Sequence, residues 1–491
     1  MRRRITTPPE PLLAPPKVAT SWTFDLETIT PVLGGGVRPF EPDTVDIVRV
    51  PSIRGHLRWW WRALVATTED LKHPQALLRR EAKLWGGLTD DEPVRSQVRI
   101  TVDVLSRGQV VAAGHHAWRD GKDGKPGRHI PFPDWKDPPL GYGLFPLMRD
   151  AEFLKQSSSQ AKRVATRSLR QSLVFRIVVG FDALTEQEQL QLTATLWMWI
   201  HFGGIGARTR RGFGALAIKH CALPAGDWQR LFDRNTRFLD RLRAVVSSLR
   251  KGAEDGALGE RIAGAKLFID DARPEPAIAA QGRILTKMWE FRQKPGCGRS
   301  KGTGNKPGPS HWPEANLLRA IYQKTIKLRP GQKLEWNHAP PKEIDATQFG
   351  APRAAFGLPL EIKFKASDQK DTCANATIYP AEGLEQAGDL LRWPSPLLIR
   401  PIAGAAGKAH AAMLILSSAK SLSVPPFVRI KYANHPDQPK NGFTARVSMQ
   451  GVDERLLQHR NGKPSQNALQ AFWRFAQDGR EWPSVDFKDL G

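Results

Sequence analysis

Between residues 20 and 222 the spacing of apolar side chains switches from a period of two to a period near 3.6 and back, twice. No other feature constrains the fold as much, because one pattern cannot serve a strand and a helix at once. Phe24, Leu26 and Thr28 alternate with Thr23, Asp25 and Glu27, which predicts a half-buried strand over Trp22 to Ile29. After the glycines at 34, 35 and 36, the residues Ile53, Leu57, Trp60 and Leu64 fall in one sector at about 100° per residue. They predict a helix from a Ser52 cap to about Ala66. Val98, Ile100, Val102 and Val104 mark a second strand, and Leu173, Phe175, Ile177 and Val179 a third. Thr185 and Glu188 form a capping box ahead of a helix whose apolar stripe is Leu192, Leu196 and Trp199, ending at Gly203 and Gly204. Leu216 and Ile218 then place a short fourth strand.

Two strand-helix-strand halves in that order predict an α+β chain with a ferredoxin-like (RRM-like, βαββαβ) antiparallel sheet over about 20–222. At 491 residues the chain is too long for one core, so a second domain is expected. The expected division is a Pro-rich leader at 1–20, a first domain at 21–222, a connection at 223–255 and a second domain at 256–491. The first domain carries an insertion at about 107–171, rich in Pro, Gly and basic residues, which reads as a functional loop. Leu231, Phe238, Leu242, Val245 and Leu249 predict one amphipathic helix in the connection. The second domain shows apolar runs at 358–364, 397–402 and 411–416, a last helix near 468–475, and a basic Gly-rich loop at 292–309 expected to be flexible.

Lys and Arg number 73 against 49 Asp and Glu, a net charge of +24. Such an excess favours a polyanionic partner, because phosphates gain from Arg and Lys contacts and release counterions. The basic residues are spread along the folded segments instead of filling one tail. Cys221, Cys297 and Cys373 are far apart and form no CxxC pair, so neither a metal nor a disulfide framework is expected, and no cofactor motif is present. The first residues run Met-Arg-Arg-Arg into prolines without an apolar core, so the expected compartment is the cytoplasm, with no membrane partner.

Most of the chemistry is concentrated in residues 203–214, where Gly203, Gly204, Gly206, Gly212 and Gly214 surround Arg208, Arg210, Arg211 and Phe213. Glycines permit positive φ and a close approach of a phosphodiester backbone, and the arginines supply charge and forked donors. Phe213 either stacks on a base or anchors the loop in the core. The glycines follow a helix and precede a strand, the reverse of a dinucleotide fingerprint, and a Walker loop is absent. Arg54, Arg58 and Arg62 form a second basic stripe along the first helix, suited either to phosphate contact or to a solvated face. His56 and His201 are visible candidates for a general base in RNA cleavage, and Asp43 and Asp46 lie in the loop after the first strand; no catalytic residue is assigned among them.

The 203–214 segment resembles the Gly-rich loop of the RAMP superfamily of CRISPR proteins. Residues 30–36, 53–62 and 81–86, with Trp312-Pro-Glu314, Gly357-Leu-Pro359 and Arg392-Trp-Pro-Ser-Pro396, are similar to signatures of the family of first subunits in Cmr (type III-B) complexes. The resemblance implies two RAMP domains and a non-catalytic, RNA-binding subunit at the tail of a guide-directed effector complex. Its implied partners are crRNA, target RNA and the other Cmr RAMP subunits. A metal-independent RAMP endoribonuclease that processes guide precursors is the alternative.

Overall fold

The structure is a computed structural model that describes residues 20–36, 41–90, 92–119, 128–133, 140–144, 163–165, 168–223, 227–253, 256–302, 308–326, 346–364, 373–381, 392–418, 421–422, 426–440, 442–457, 465–477 and 482–490. The expected leader lies almost wholly outside these residues, as do parts of the 107–171 insertion and of the 292–309 loop.

In the first half, β1 (Thr20–Thr28), α1 (Val50–Val65), α2 (Pro74–Trp85), β2 (Val98–Ser106), β3 (Val174–Phe181), α3 (Glu186–Phe202) and β4 (Leu216–Ala222) follow in sequence. The sheet order is β4-β1-β3-β2 and every pairing is antiparallel. Phe24 lies opposite Ile177 and Asp25 opposite Arg176, so one face is apolar while the other carries a 2.6 Å Arg176–Asp25 ion pair. Ile53, Leu57, Trp60 and Leu64 of α1 are buried in the core under this sheet.

α1 begins after Arg49, with Pro51 in its first turn and no side-chain cap; Ser52 lies inside the helix instead of capping it. Proline is tolerated there because the first N–H groups have no helical acceptor anyway. The capping box of α3 is present, with Thr185 accepting from the Glu188 N–H. Beyond Leu192, however, α3 is buried on all sides and has no stripe, because sheet, helices and the second half of the chain all pack on it. The connection is two helices, Asp227–Phe232 and α4 (Phe238–Gly252), broken between them where one helix was expected.

The second half repeats the order of the first: β5 (Lys266–Ile269), α5 (Ala277–Gln293), β6 (Leu397–Ala403), β7 (Ala409–Ile415), α6 (Ala468–Ala476) and β8 (Ser484–Asp486). Its sheet runs β6-β7-β5-β8, again antiparallel throughout. Both sheets therefore place the fourth strand beside the first, then the third, then the second. A further antiparallel sheet, from strands Leu360–Ile362, Ala376–Pro380, Phe427–Tyr432 and Phe443–Arg446, has a separate small core with helix Glu314–Thr325.

The two halves share their interior. Leu398 and Ile402 of β6 join the core of the first half, whereas Leu397 and Ile399 face α5 and α6 in a second core. A strand buried on both faces reads as a continuous apolar run, and this is why 397–402 lacks alternation. Arg400 sits in that run at 1% exposure. Its Nε donates to the His201 carbonyl at 3.1 Å, in the last turn of α3, where the helix dipole favours a cation.

The described parts of the 107–171 insertion are not irregular. They form strands Gln109–Ala112, Gly114–Arg119, Arg128–Pro133, Arg163–Ala165 and Ser168–Gln171, too short to show a period in the sequence. The described part of the 292–309 loop is likewise tied down, with Gly298 N–H donating to Glu290 O at 3.0 Å and His311 N–H to Gly298 O at 3.1 Å.

Candidate nucleic-acid interface

The Gly-rich segment leaves α3 at Gly203 and crosses over itself before entering β4. Ile205 N–H donates to Gly214 O at 3.1 Å, Ala207 N–H to Leu33 O at 2.6 Å, and Gly214 N–H to Pro31 O at 2.9 Å. Thr30 clamps the crossing: its hydroxyl donates to Gly212 O at 2.7 Å and accepts from Ala215 N–H at 2.8 Å. A Cβ on Gly204 would meet Gly214 O, and one on Gly214 would meet Ile205 O, both at positive φ. These glycines serve the chain's own crossing. The same holds for Gly206 against Leu33 and Gly212 against Ile399 and Gln281, so the close approach expected of a phosphate backbone is taken by protein.

Between Gly206 and Gly212 the segment turns outward. Arg208 adopts a left-handed conformation (φ 59°, ψ 28°) and opens a single 3-10 turn at Thr209–Arg211. Arg208, Arg210 and Arg211 are half-buried on the wall of a cleft of about 610 Å³ between the two halves of the chain. Arg392 joins them from the second half, and Trp59, Trp60 and His56 come from α1. No Asp or Glu among the described residues lines this cleft.

Among the described residues, no carboxylate pairs with Arg208, Arg210 or Arg211. Arg211 donates to Leu397 O at 3.1 Å. Arg210 lies over the Trp59 ring with its carbon 5.8 Å from the centroid. Arg208 keeps a buried Nε without a partner. Burial lowers all three guanidinium pKa values, and Arg211, crowded also by Arg208, is brought down to about 9. They remain cations at neutral pH, and an incoming anion would relieve their repulsion.

Phe213 does not reach this cleft. It is 0% exposed in the second core, against Leu285 and Gly143, which decides between the two placements in favour of anchoring. Arg54, Arg58 and Arg62 are also turned to the protein. Arg54 donates to Trp85 O and Ser96 Oγ, both at 2.9 Å. Arg58 and Arg62 share the buried Glu81 carboxylate, Arg62 at 3.0 Å, tying α1 to α2.

The histidines differ as well. His201 is stacked on Trp197 at 4.2 Å, with Nδ1–H donating to Trp197 O and Nε2 3.4 Å from Arg241. Burial, then Arg241, holds its pKa well below the ordinary value. His56 borders the cleft, its Nδ1–H donating to Gly204 O at 2.8 Å; burial lowers its pKa too, against the pull of that hydrogen bond. Asp43 Oδ1 accepts from the Val45 and Asp46 backbone N–H groups at 2.9 and 3.0 Å, an ordinary turn.

Sequence reasoning missed Arg392, Trp59 and Trp60 as cleft residues. Arg392 lies in the Arg-Trp-Pro-Ser-Pro motif and the tryptophans in the 53–62 motif, so both were marked as family signatures without a place in a site.

Residues 25–217, which hold the first sheet, α1, α3 and the Gly-rich segment, match the model of the RAMP superfamily. That matched segment, less than half of the chain, likens the protein to the RAMP superfamily. The chain resembles the CRISPR system Cmr subunit Cmr1-2 of Pyrococcus furiosus, with 26% identity over 198 residues, 40% of this chain and 94% of the relative. The crystal structure of Cmr1 from the same organism, in its apo form, superposes with a TM-score of 0.42 at 15% identity, covering 95% of this chain and 98% of that one. A chain in the type III-B Cmr-beta complex bound to cognate target RNA gives 0.41 at 14% identity, over 81% and 94%. No helix among the described residues is long and apolar enough to cross a membrane.

Proposed function

We propose that this chain is a RAMP protein, a non-catalytic RNA-binding subunit of a type III-B (Cmr) CRISPR effector complex, capping its tail end and contacting crRNA and target RNA. The observation that carries the reading is the cleft: four arginines and two tryptophans on a wall without one carboxylate among the described residues. Such a surface suits single-stranded RNA, whose phosphates take the guanidinium forks while unstacked bases take the aromatic faces. The name of the Cmr1-2 relative supports placing that surface inside a Cmr complex. The repeated strand order supports two ferredoxin-like RAMP domains, at 21–222 and 256–491, joined by 223–255. In this reading the other Cmr RAMP subunits are its protein partners. The compartment is the cytoplasm.

Among the described residues His201 is enclosed, and His56 has no acid partner beside it in the cleft. Co-expression with the other complex subunits and a guide RNA tests the proposal. The chain is expected to copurify in an RNA-containing particle and to leave labelled repeat RNA intact. A chain that elutes alone and free of RNA contradicts it. Site-specific cleavage lost in His56→Ala would replace it with the endoribonuclease reading.

A further inference from the structure

The arginine cleft does not end at α1. A second cleft of about 360 Å³ lies on the other side of His56, walled by the 34–36 glycines, Val48, Ile53 and Ile205, and mostly apolar. His56 is common to both clefts. It stands at the join between a cationic, aromatic chamber and a mostly apolar one with Arg49 and Ser52 at its wall.

The ring's orientation is fixed. Because Gly204 O can only accept, the 2.8 Å contact places a proton on Nδ1. Nε2 is then a lone-pair acceptor, without a hydrogen-bond partner among the described residues. Burial, and after it the Arg400 cation, disfavour a second proton on the ring. The cleft thus presents an imidazole acceptor that cannot donate, beside the guanidinium donors.

A nucleic-acid backbone offers acceptors at every phosphate. It offers a donor only in RNA, at the ribose 2′-hydroxyl. We infer that His56 Nε2 accepts the 2′-hydroxyl of a nucleotide whose phosphate lies among the cleft arginines and whose base enters the glycine-walled chamber, so that His56 sets the preference for RNA over DNA. This rests on the RNA-binding reading of the cleft above. His56 acts here as a specificity residue and not as a base.

Fluorescence anisotropy of the full chain with one labelled single-stranded sequence, prepared as RNA, as 2′-deoxy and as 2′-fluoro oligonucleotide, tests it. RNA is expected to bind about tenfold more tightly than either analogue, the size of one hydrogen bond. In His56→Phe the ratio of RNA to DNA affinity is expected to fall toward one. Equal binding of RNA and 2′-fluoro RNA by the unmodified chain overturns the inference while leaving the RNA-binding reading intact. A His56→Phe variant that loses affinity for RNA and DNA in the same proportion also overturns it. Absence of salt-dependent binding to all three oligonucleotides overturns both readings. The 2′-fluoro comparison needs no substitution, so it decides even if His56→Phe fails to fold.

Discussion

Two sets of three arginines, close in sequence spacing and identical in chemistry, have opposite roles in this fold. Arg54, Arg58 and Arg62 are satisfied within the protein by backbone oxygens, Ser96 and the carboxylate of Glu81. Among the described residues Arg211 reaches a carbonyl and Arg210 an aromatic face, on a wall without an acidic residue. The difference lies in the counterion. An arginine already neutralised by a buried carboxylate has little to gain from a phosphate, whereas one held half-buried without an anion has both charge and donors to spare.

The comparison can be broken most forcefully at Glu81. Glu81→Gln removes the one negative charge that Arg58 and Arg62 share, and is expected to cost about 3 kcal/mol, toward the lower end for a broken buried pair because both arginines still reach solvent. Urea unfolding checks this. A loss under about 1 kcal/mol would show that the stripe is not held by its carboxylate.

Next in size is the Gly-rich segment. Changing Arg208, Arg210 and Arg211 together to Ala is expected to weaken single-stranded RNA binding about thirtyfold, close to 2 kcal/mol, across sequences. The melting temperature, read by circular dichroism, separates lost contacts from lost fold.

His201, beside Arg241 and Arg400, offers a third test. It is neutral in the fold with a depressed pKa, and near 6.5 in the unfolded chain, so the unfolded state binds more protons as the pH falls. Stability is therefore full above about pH 6.5 and declines below it, by at most about 1.4 kcal/mol per pH unit. In His201→Phe that decline is expected to be shallower between pH 7.5 and 5.5, measured by thermal melting. The smallest effect belongs to Arg62→Ala, whose side chain is 44% exposed: RNA affinity is expected to stay within about twofold and stability within about 1 kcal/mol.

Local pattern in the sequence carried the first sheet far. Phe24 and Leu26, Phe175 and Ile177, and the core face of α1 were all legible, because a strand or helix with one buried face writes its period into the residues. The second sheet was harder. β5 and β8 span four and three residues, too few for a period, and β6 is covered on both faces. The Gly-rich segment was legible as a cluster, but the carboxylate of Glu81 and the placement of Arg392 are products of tertiary packing that no local spacing contains. Phe213 shows the same limit: its sequence neighbours are cleft arginines, while its side chain belongs to the core behind them.

The salt dependence of single-stranded RNA affinity in the unmodified chain and in the Arg208, Arg210 and Arg211 triple variant tests the central claim most directly. For single strands each neutralised phosphate contributes about 0.7 to the slope of log affinity against log salt. Loss of the three cleft cations is expected to reduce that slope by about 2. An unchanged slope would contradict the account and move RNA to another face of the molecule.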